Sequence, residues 1–573
     1  MSIKQEKGFR RIFGVLVIVA ILANIKSILN DYNVDSGYAV VMSYRQAQGE
    51  MLLSEMWDPH QTSGFLAALF IKFYLMILGT TTGIVLYLQV AGVIIRGLFT
   101  LFFYHTMRHF IRKDMLMLMC LFFFSVTPKG LPMPEFSNMQ VWFSLGLICS
   151  LIRFLRAQDK KGWLLLAGIF LCLQILAYPS CLIVYAGVVG LLARYGKKKW
   201  KSIGIFTGIC ACGGGLYCGW LLYVLGPDGL ISGIKNIVSG DSSHSASMSS
   251  KFVGYVWEGI GILGFFLVIG IFTYVILRLI KLICRYRKLK PDTVCTSTHL
   301  IAGFYILLFA SELIAILMAD MDYCAQIPMY IPIIVTAVFF KKYCTECEHQ
   351  MFVVATFISF FSFLATLMLT NLTVNSSLSY VIPAIMMACI PIVRGIERLP
   401  VLVQRRMSYS LLFLFCGVVI FRSGYLFSSM SGPKTNLLSL GGIVKDGPAV
   451  GIISEYMGPY VFNETMQEWQ EMVNDGDSVL IVGGRTAYDP LPYLFGNVEI
   501  SVPSTICTPT YDEKLLDYWD TYPEKYPDVI MVDCWYGDLR VSEDSWIMQW
   551  IREEYPECNY VDGKYWRYYR LTD

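Results

Sequence analysis

The chain has 573 residues, of which 55% are hydrophobic and 16% are charged, and its formal net charge is +3. Soluble domains carry about 25% charged residues, so this composition with its repeated apolar stretches indicates a polytopic membrane protein. The small net charge and the absence of a basic domain exclude a nucleic-acid-binding protein. We therefore expect a lipid bilayer, and no nucleic acid, among its partners.

Thirteen apolar segments follow one another along the first three quarters of the chain. Each is long enough, or nearly so, to cross about 30 Å of hydrocarbon at about 1.5 Å per helical residue. They lie near Ile12–Leu29, Gly83–Met107, Met115–Val126, Val141–Leu155, Gly162–Tyr178, Cys181–Ala193, Ile203–Leu225, Phe252–Leu277, Leu300–Met318, Ile327–Phe340, Phe352–Leu369, Leu378–Ile392 and Leu411–Phe427. The sequence thus predicts an α-helical polytopic protein with about 13 transmembrane helices.

Lysine and arginine determine the predicted orientation. With the N-terminus inside, the cytoplasmic segments hold 28 basic residues and the outer loops hold four, with Lys72 left aside. Cytoplasmic loops of membrane proteins carry such an excess. This asymmetry predicts a multi-pass protein of the plasma (cytoplasmic) membrane with a cytoplasmic N-terminus. Thirteen crossings then place the C-terminal region outside the cytoplasm.

The same rule decides two ambiguous segments. If Phe65–Leu78 were a span, every later basic loop would lie on the wrong side, so we expect an interfacial or re-entrant helix that carries Lys72. The stretch Gly162–Ala193 is too long for one crossing and is basic at both ends. Because proline ends a helix, it should be a hairpin that turns at Tyr178-Pro179-Ser180.

The composition changes near Ser431. Apolar strands near Ala449–Ile453, Ser478–Val482, Val498–Val502, Val529–Val532 and Tyr565–Leu571 alternate with helical patterns at Glu464–Val473, Asp512–Thr521 and Ser545–Glu553. We therefore divide the chain into a transmembrane domain (1–430), whose first outer loop (30–82) follows the membrane surface, and a small extracytoplasmic α/β domain (431–573). The second domain holds no cluster of acids, bases or nucleophiles, and we expect it to be separable from the chemistry.

Several carboxylates lie in the predicted outer segments. Asp35 follows the first span directly, and it is either a helix cap or a site residue. Glu135 lies in the proline-rich loop before the fourth span, where an ordinary loop carboxylate is the alternative. Asp320 and Asp322 lie at the outer end of the ninth span, with Glu312 about two turns deeper. Ionisable groups at membrane depth are candidates for function by default.

Three features of the chain resemble the GT-C superfamily of membrane glycosyltransferases, which includes protein mannosyltransferases and aminoarabinose transferases. The first is the acidic segment Asp35-Ser36-Gly37-Tyr38 soon after the first span, where the family usually has Asp-Glu-x-Tyr. The second is a first loop that contains the corner Trp57-Asp58-Pro59-His60 and an interfacial helix closing at Gly79. The third is a second outer-loop acid, matched by Glu135.

The hairpin from Ala167-Gly168 to Tyr178-Pro179 is also similar to a family segment that usually ends in Lys-Pro. The resemblance covers roughly residues 1–400. Two departures, Ser36 in place of the second acid and Tyr178 in place of lysine, leave open whether a metal is used and how the donor phosphate is held.

The resemblance implies inverting transfer of a hexose or pentose from a polyprenyl-phosphate sugar to an envelope glycan, lipid or protein. It makes Asp35 the general base or a group that positions the acceptor, and it makes Glu135 an acceptor ligand or a partner of Asp35 in binding a divalent ion such as Mg or Mn. The leaving phosphate needs positive charge, which Arg45, Lys129 and the interfacial Lys72 could supply. The substrate-binding residues it suggests are Tyr38, His60, Tyr178, Asp320 and Asp322.

Two other functions remain open at this stage. A transporter or flippase for an envelope lipid or glycan would carry deep charges on several spans and an inverted repeat. The chain shows Glu312 and Arg96 as clear deep charges and no repeat. A non-catalytic scaffold for envelope assembly is also compatible with the sequence, and activity measurements would distinguish it.

Overall fold

The computed structural model describes residues 3–30, 32–128, 132–157, 160–240, 248–286, 297–318, 330–369, 372–398, 414, 416–417, 419–420, 440–455, 457–484, 488–505, 514–555 and 560–570. The chain is a bundle of apolar helices followed by a small mixed-sheet domain, which confirms the predicted fold class. The boundary near residue 431 lies outside the described residues and stays a prediction.

The described part of the bundle contains these helices: α1 (Ile3–Asn30), α2 (Val34–Gln48), α3 (Phe65–Leu78), α4 (Ile84–Met107), α5 (Lys113–Ser125), α6 (Phe136–Arg156), α7 (Lys161–Ala177), α8 (Leu182–Tyr195), α9 (Lys199–Gly240), α10 (Met248–Tyr286), α11 (Ser297–Met318), α12 (Tyr330–Phe340), α13 (Glu346–Leu369), α14 (Val374–Ser377) and α15 (Ile382–Glu397). Among the described residues, eight helical segments have the length and composition of a membrane span, and two shorter apolar helices lie at 161–177 and 179–195. The total of thirteen crossings stays a prediction.

The predicted hairpin is confirmed. Helix α7 ends at Ala177, a short 3₁₀ turn covers Pro179–Cys181, and α8 starts at Leu182. Proline stands at the start of that turn because its ring fixes φ and it has no amide hydrogen to donate to the preceding helix. Tyr178 therefore lies at the tip between two antiparallel helices.

Helix α3 has the predicted bounds, and its composition alone would also permit a span. It ends at Gly79, whose φ of 63° is a left-handed conformation that glycine adopts without a side-chain clash. The chain contacts the C-terminal domain on both sides of α3. Trp57 N–H donates to Pro503 O before it, and Thr81 Oγ1 donates to Leu494 O after it. Both flanks of α3 thus contact the same domain, and its interfacial position stays a prediction.

The segment Asp35-Ser36-Gly37-Tyr38 is part of a helix and not a turn before one. Asn33 and Ser36 cap α2 reciprocally, since Asn33 Oδ1 accepts from Ser36 N–H and Ser36 Oγ accepts from Asn33 N–H. Two of the helix's unpaired terminal groups are satisfied in this way, and the helix begins at Val34. Helix α2 ends at Gln48, and Gly49 follows it in a left-handed conformation.

The C-terminal domain is built on one main sheet. Its strands are β3 (Ser478–Val482), β4 (Glu499–Ile500), β5 (Val529–Trp535), β6 (Asp538–Leu539), β7 (Tyr560–Asp562) and β8 (Trp566–Arg570), after a separate hairpin of β1 (Leu440–Ile443) and β2 (Ile453–Glu455). The sheet order is β4-β3-β5-β8-β7, with β6 on β5, and only β4, β3 and β5 are parallel. Its helices are α16 (Met457–Met472), α17 (Lys514–Thr521) and α18 (Trp546–Glu554).

This domain packs against the first outer loop, and its separability from the chemistry stays a prediction. One hydrophobic cluster contains Val40 and Val41 of α2, Ile71 of α3 and the buried strands β3 and β5. Val40 and Val41 are fully buried. Removing the domain would expose these side chains to water, at a cost of about 1.5–3 kcal/mol for each aliphatic side chain. The first outer loop is therefore part of the same folding unit as the C-terminal domain.

Candidate functional site

Asp35 lies in the first turn of α2 and is half-buried. The unpaired N–H groups and the dipole of a helix give its first turn a partial positive charge, which favours an ionised carboxylate there. A carboxylate that remains charged can accept a proton. The position of Asp35 thus fits the predicted base, although its role stays a prediction.

The C-terminal domain reaches the chain just before Asp35. Asn30 Nδ2 donates to Ile453 O, and the ring of the buried Tyr32 lies 5.2 Å from that of Tyr488. Burial raises the pKa of Tyr32 well above its usual value, and Tyr488 and Asp489 raise it further. Tyr32 is therefore neutral at all physiological pH values. No local pattern indicated the contact between Tyr32 and Tyr488, because it joins distant parts of the chain.

Glu135 caps helix α6. Its Oε2 accepts from Ser137 N–H at 2.8 Å and its Oε1 accepts from Asn138 N–H at 2.6 Å. Glu135 is 2% exposed, and Pro132, Met133 and Pro134 before it are also buried. The loop can approach α4 closely because Gly92 has no side chain; a Cβ there would lie 1.9 Å from Pro132 O. Part of the hydrogen-bonding capacity of Glu135 is thus used to start a helix.

His60 and Tyr178, both predicted to bind substrate, come together beside Glu135. The His60 ring stacks on Phe136 with 4.4 Å between centroids and on Tyr178 with 5.1 Å. Tyr380, which the sequence did not single out, lies 6.4 Å from the Tyr178 ring and donates to Ser137 Oγ. We call His60, Phe136, Tyr178 and Tyr380 the aromatic cluster. It joins the first loop to the starts of α6, α8 and α15.

Arg45 is not placed to bind a donor phosphate, contrary to the prediction. It is fully buried, its Nε donates to Glu50 Oε2 at 2.6 Å, and its Nη2 donates to Glu55 O at 2.9 Å. Burial alone would lower the pKa of Arg45, but Glu50 and other nearby groups raise it above its usual value. A permanently charged guanidinium that is paired with Glu50 serves the packing of the loop against the C-terminal domain.

The buried Lys525 completes this charge network from the C-terminal domain. Its Nζ lies 3.3 Å from Glu50 Oε1, 3.7 Å from Glu55 Oε1 and 3.8 Å from Glu499 Oε2. Two cations and three carboxylates thus meet where the first loop contacts the domain. The sequence could not indicate this network, because Lys525 and Glu50 are far apart in the chain.

The other predicted site residues have different positions. Lys72 is exposed on α3, where a phosphate at headgroup depth could reach it. Tyr38 is buried beside Met42 and Met56, which is a packing environment. Lys129, Asp320 and Asp322 lie outside the described residues, so their roles stay predictions.

No group of three or more His, Cys, Asp or Glu side chains that could hold a metal ion occurs within the described ranges. A divalent ion shared by Asp35 and Glu135 therefore remains a prediction from the resemblance.

Arg96 is a charged residue that lies inside the bundle. Arg96, at the middle of α4, is 1% exposed; its Nη2 donates to Asn24 Oδ1 of α1, and its Nη1 lies 3.5 Å from Val126 O at the end of α5. No described carboxylate forms an ion pair with it. The carbonyl end of α5 carries partial negative charge and stabilises the guanidinium in part.

Comparisons with known proteins give distant structural similarity only. No family model and no curated protein matches the chain. Two solved structures of the archaeal oligosaccharyltransferase AglB from Archaeoglobus fulgidus match 90% of this chain and 69% of theirs. The one in complex with an inhibitory peptide and a dolichol-phosphate has a TM-score of 0.41 at 9% identity. The one tethered to an acceptor peptide containing the NVT sequon has a TM-score of 0.43 at 10% identity. Scores this low assign no residue roles.

Proposed function

We propose that this chain is a membrane glycosyltransferase that moves a sugar from a polyprenyl-phosphate donor to an acceptor of the cell envelope. The observation that carries the proposal is the convergence of three separate segments: His60 of the first loop, Glu135-Phe136 at the start of α6, and Tyr178 at the hairpin tip. These segments are the ones in which the sequence resembles the GT-C superfamily. Asp35 starts the helix that leads into the first of them.

The proposed reaction is a displacement at the anomeric carbon. An acceptor hydroxyl or amine forms a bond to that carbon, the bond from carbon to phosphate oxygen breaks, and the configuration inverts. Asp35 takes the proton that the acceptor loses. The polyprenyl phosphate leaves with the bonding electrons, and Lys72 or Lys129 balances its developing charge.

Aromatic rings suit an acceptor or donor sugar because the apolar faces of pyranose rings pack on them. In the proposal, His60 and Tyr178 supply such a surface, and the carboxylate of Glu135 binds a hydroxyl of the acceptor. The acceptor is an envelope glycan, lipid or protein on the extracytoplasmic face, next to the C-terminal domain.

The test is transfer by the full-length protein in lipid nanodiscs. The probes are synthetic undecaprenyl-phosphate hexoses and pentoses with a delipidated envelope extract as acceptor, and mass spectrometry measures released undecaprenyl phosphate. We expect acceptor-dependent release with at least one donor, and its loss in Asp35→Asn. Release that does not depend on acceptor, or that Asp35→Asn leaves unchanged, would contradict the proposal.

A transporter or flippase is the second candidate, and Arg96 is the observation that favours it. A fully buried arginine in a helix bundle often marks the path of a polar substrate. The same nanodisc preparation distinguishes the two. A transporter would move a fluorescent polyprenyl-phosphate analogue between leaflets and leave its sugar attached.

A further inference from the structure

The corner Trp57-Asp58-Pro59-His60 connects the C-terminal domain to the aromatic cluster. Trp57 N–H donates to Pro503 O at 2.8 Å, and Ser504 Oγ donates to Asp58 Oδ1 at 2.6 Å. The backbone N–H of Thr505 donates to the same carboxylate. Two residues later, His60 stacks on Phe136 of the bundle. The proline between them restricts the backbone, so a displacement of Asp58 moves His60.

We propose that Asp58 is the positioning residue through which the C-terminal domain sets the place of His60, and that proton uptake by Asp58 tightens this contact. The effect on catalysis rests on the proposed glycosyl transfer. The contact and its dependence on pH do not, and they can be measured without any substrate.

Ionisation of Asp58 is energetically unfavourable in its buried surroundings. The side chain is completely buried, and its Oδ2 has no hydrogen-bond partner. An ionised carboxylate without a full set of donors loses much of the solvation it had in water. The contact between domain and loop is therefore more stable when the carboxyl group is neutral.

The charged groups on the elements around Asp58 have opposite effects on its ionisation. Arg45 of α2 attracts the ionised form, and Glu50 of the following loop repels it. Arg45 is already paired with Glu50 and also faces Tyr518 of α17. Beyond them lie Lys525, Glu55 and Glu499, which form the charge network described above. Arg45 therefore compensates Asp58 only in part.

The direction of the pH effect follows from the two states of Asp58. Burial raises the pKa of Asp58 to about 6 in the contact, although Arg45 and the bond from Ser504 act against this rise. In a separated, solvated state the pKa is near the usual 3.8. Below the lower value both states are protonated, and above the higher value both are ionised. At pH values between these two pKa values, Asp58 is protonated in the contact and ionised in the separated state. The contact therefore weakens as pH rises, by about 10²-fold overall for a difference of about two pKa units.

The experiment measures hydrogen exchange of the full-length protein in nanodiscs between pH 4 and pH 7.5. The probe is the peptide that contains the Trp57 amide, which is bonded to Pro503 O. Protection, corrected for the intrinsic exchange rate at each pH, should fall up to 10²-fold between about pH 4 and about pH 6, with the midpoint of its logarithm near pH 5, and should be level above pH 6. Asp58→Asn keeps the shape and cannot ionise, so its protection should not depend on pH. The exposed Asp544→Asn, in the turn before α18, is the control and should behave as wild type.

Ser504→Ala keeps the inference testable if Asp58→Asn folds poorly. Its missing hydroxyl stabilised the ionised carboxylate, so the midpoint should move to higher pH. A wild-type profile that is flat, or equal to that of Asp58→Asn, would overturn the inference. So would a Ser504→Ala midpoint that stays in place or moves to lower pH.

The positioning role is tested in the transfer assay at pH 7.5 with a double variant. If Asp58 acts through His60, Asp58→Asn should raise kcat/KM at this pH in the wild-type background, because the neutral amide keeps the tight contact, and it should have no effect in the His60→Ala background. Equal changes in the two backgrounds, or a loss in the wild-type background, would overturn the positioning role. If wild type shows no transfer at all, the proposed function fails, while the exchange result stands by itself.

Discussion

His60 and Phe136 stack with their ring centroids 4.4 Å apart and their planes 15° from parallel. One residue belongs to the first outer loop and the other follows the cap of α6, so this contact fixes the loop against the bundle. Offset stacked pairs contribute about 0.5–1.5 kcal/mol beyond the area they bury. The contact is thus large enough to hold the loop and small enough for a substrate to displace it.

His60→Ala should lower kcat/KM at least tenfold and reduce stability by about 1 kcal/mol, because the ring is lost from the aromatic cluster. The control is His109→Ala, since His109 lies on the exposed connection between α4 and α5. Transfer kinetics and thermal unfolding of both variants give the measurement. Equal activity of the two variants would remove His60 from the site.

Asp35→Asn should reduce turnover by about 10²- to 10⁴-fold, because an amide cannot accept the proton of the acceptor. Donor binding should change little, since the helix cap is made by Asn33 and Ser36 and not by Asp35. Single-turnover transfer and binding of undecaprenyl phosphate separate the two effects. Wild-type turnover in this variant would exclude Asp35 as the base.

Glu135 has a structural role and a proposed binding role, and two substitutions separate them. Glu135→Gln cannot accept two backbone N–H groups with equal strength, so it should cost about 1 kcal/mol in stability as well as acceptor binding. Glu135→Asp keeps a good capping group but moves the carboxylate, so stability should recover and the KM for acceptor should not. Unfolding curves together with KM values measure this. Recovery of both quantities would indicate a cap with no binding role.

The structural elements that were predicted correctly are those whose ends depend on the local sequence. Phe65–Leu78 is bounded by Gly79, and the hairpin turns at Pro179, so each element ends where a single residue forbids its continuation. The role of Arg45 was predicted wrongly because its environment comes from Lys525 and Tyr518, far along the chain. Asp58 and Ser504 are 446 positions apart, and no local pattern relates them. The sequence did not single out Tyr380, because its contacts with Ser137 and Tyr178 also join distant parts of the chain.

The orientation in the membrane is a prediction from the distribution of basic residues. An alkaline phosphatase fused after the last residue should be active, and a fluorescent protein at the same position should be dark. Fusions in the connection between α4 and α5, which holds Arg108 and Arg112, should give the opposite pattern. If both positions give the same result, the number of crossings between them is even, and our topology is wrong by one span.

Truncation after Phe427 should abolish folding of the first outer loop and therefore do more than weaken acceptor recognition. Without the C-terminal domain, the fully buried Val40 and Val41 of α2 become exposed, and Arg45 and Glu50 lose the neighbouring Lys525. Exposing about five such aliphatic side chains at about 1.5–3 kcal/mol each would cost about 7.5–15 kcal/mol, which is comparable to the roughly 5–15 kcal/mol that holds a typical domain folded. We expect the truncated protein to aggregate in size-exclusion chromatography, or to show rapid hydrogen exchange throughout 34–60.

Supplying the domain in trans as a separate polypeptide should restore protection if it folds alone. A monodisperse truncation with protected α2 amides would show that the loop holds its structure without the domain, and the shared core would then be only an additional stabilisation.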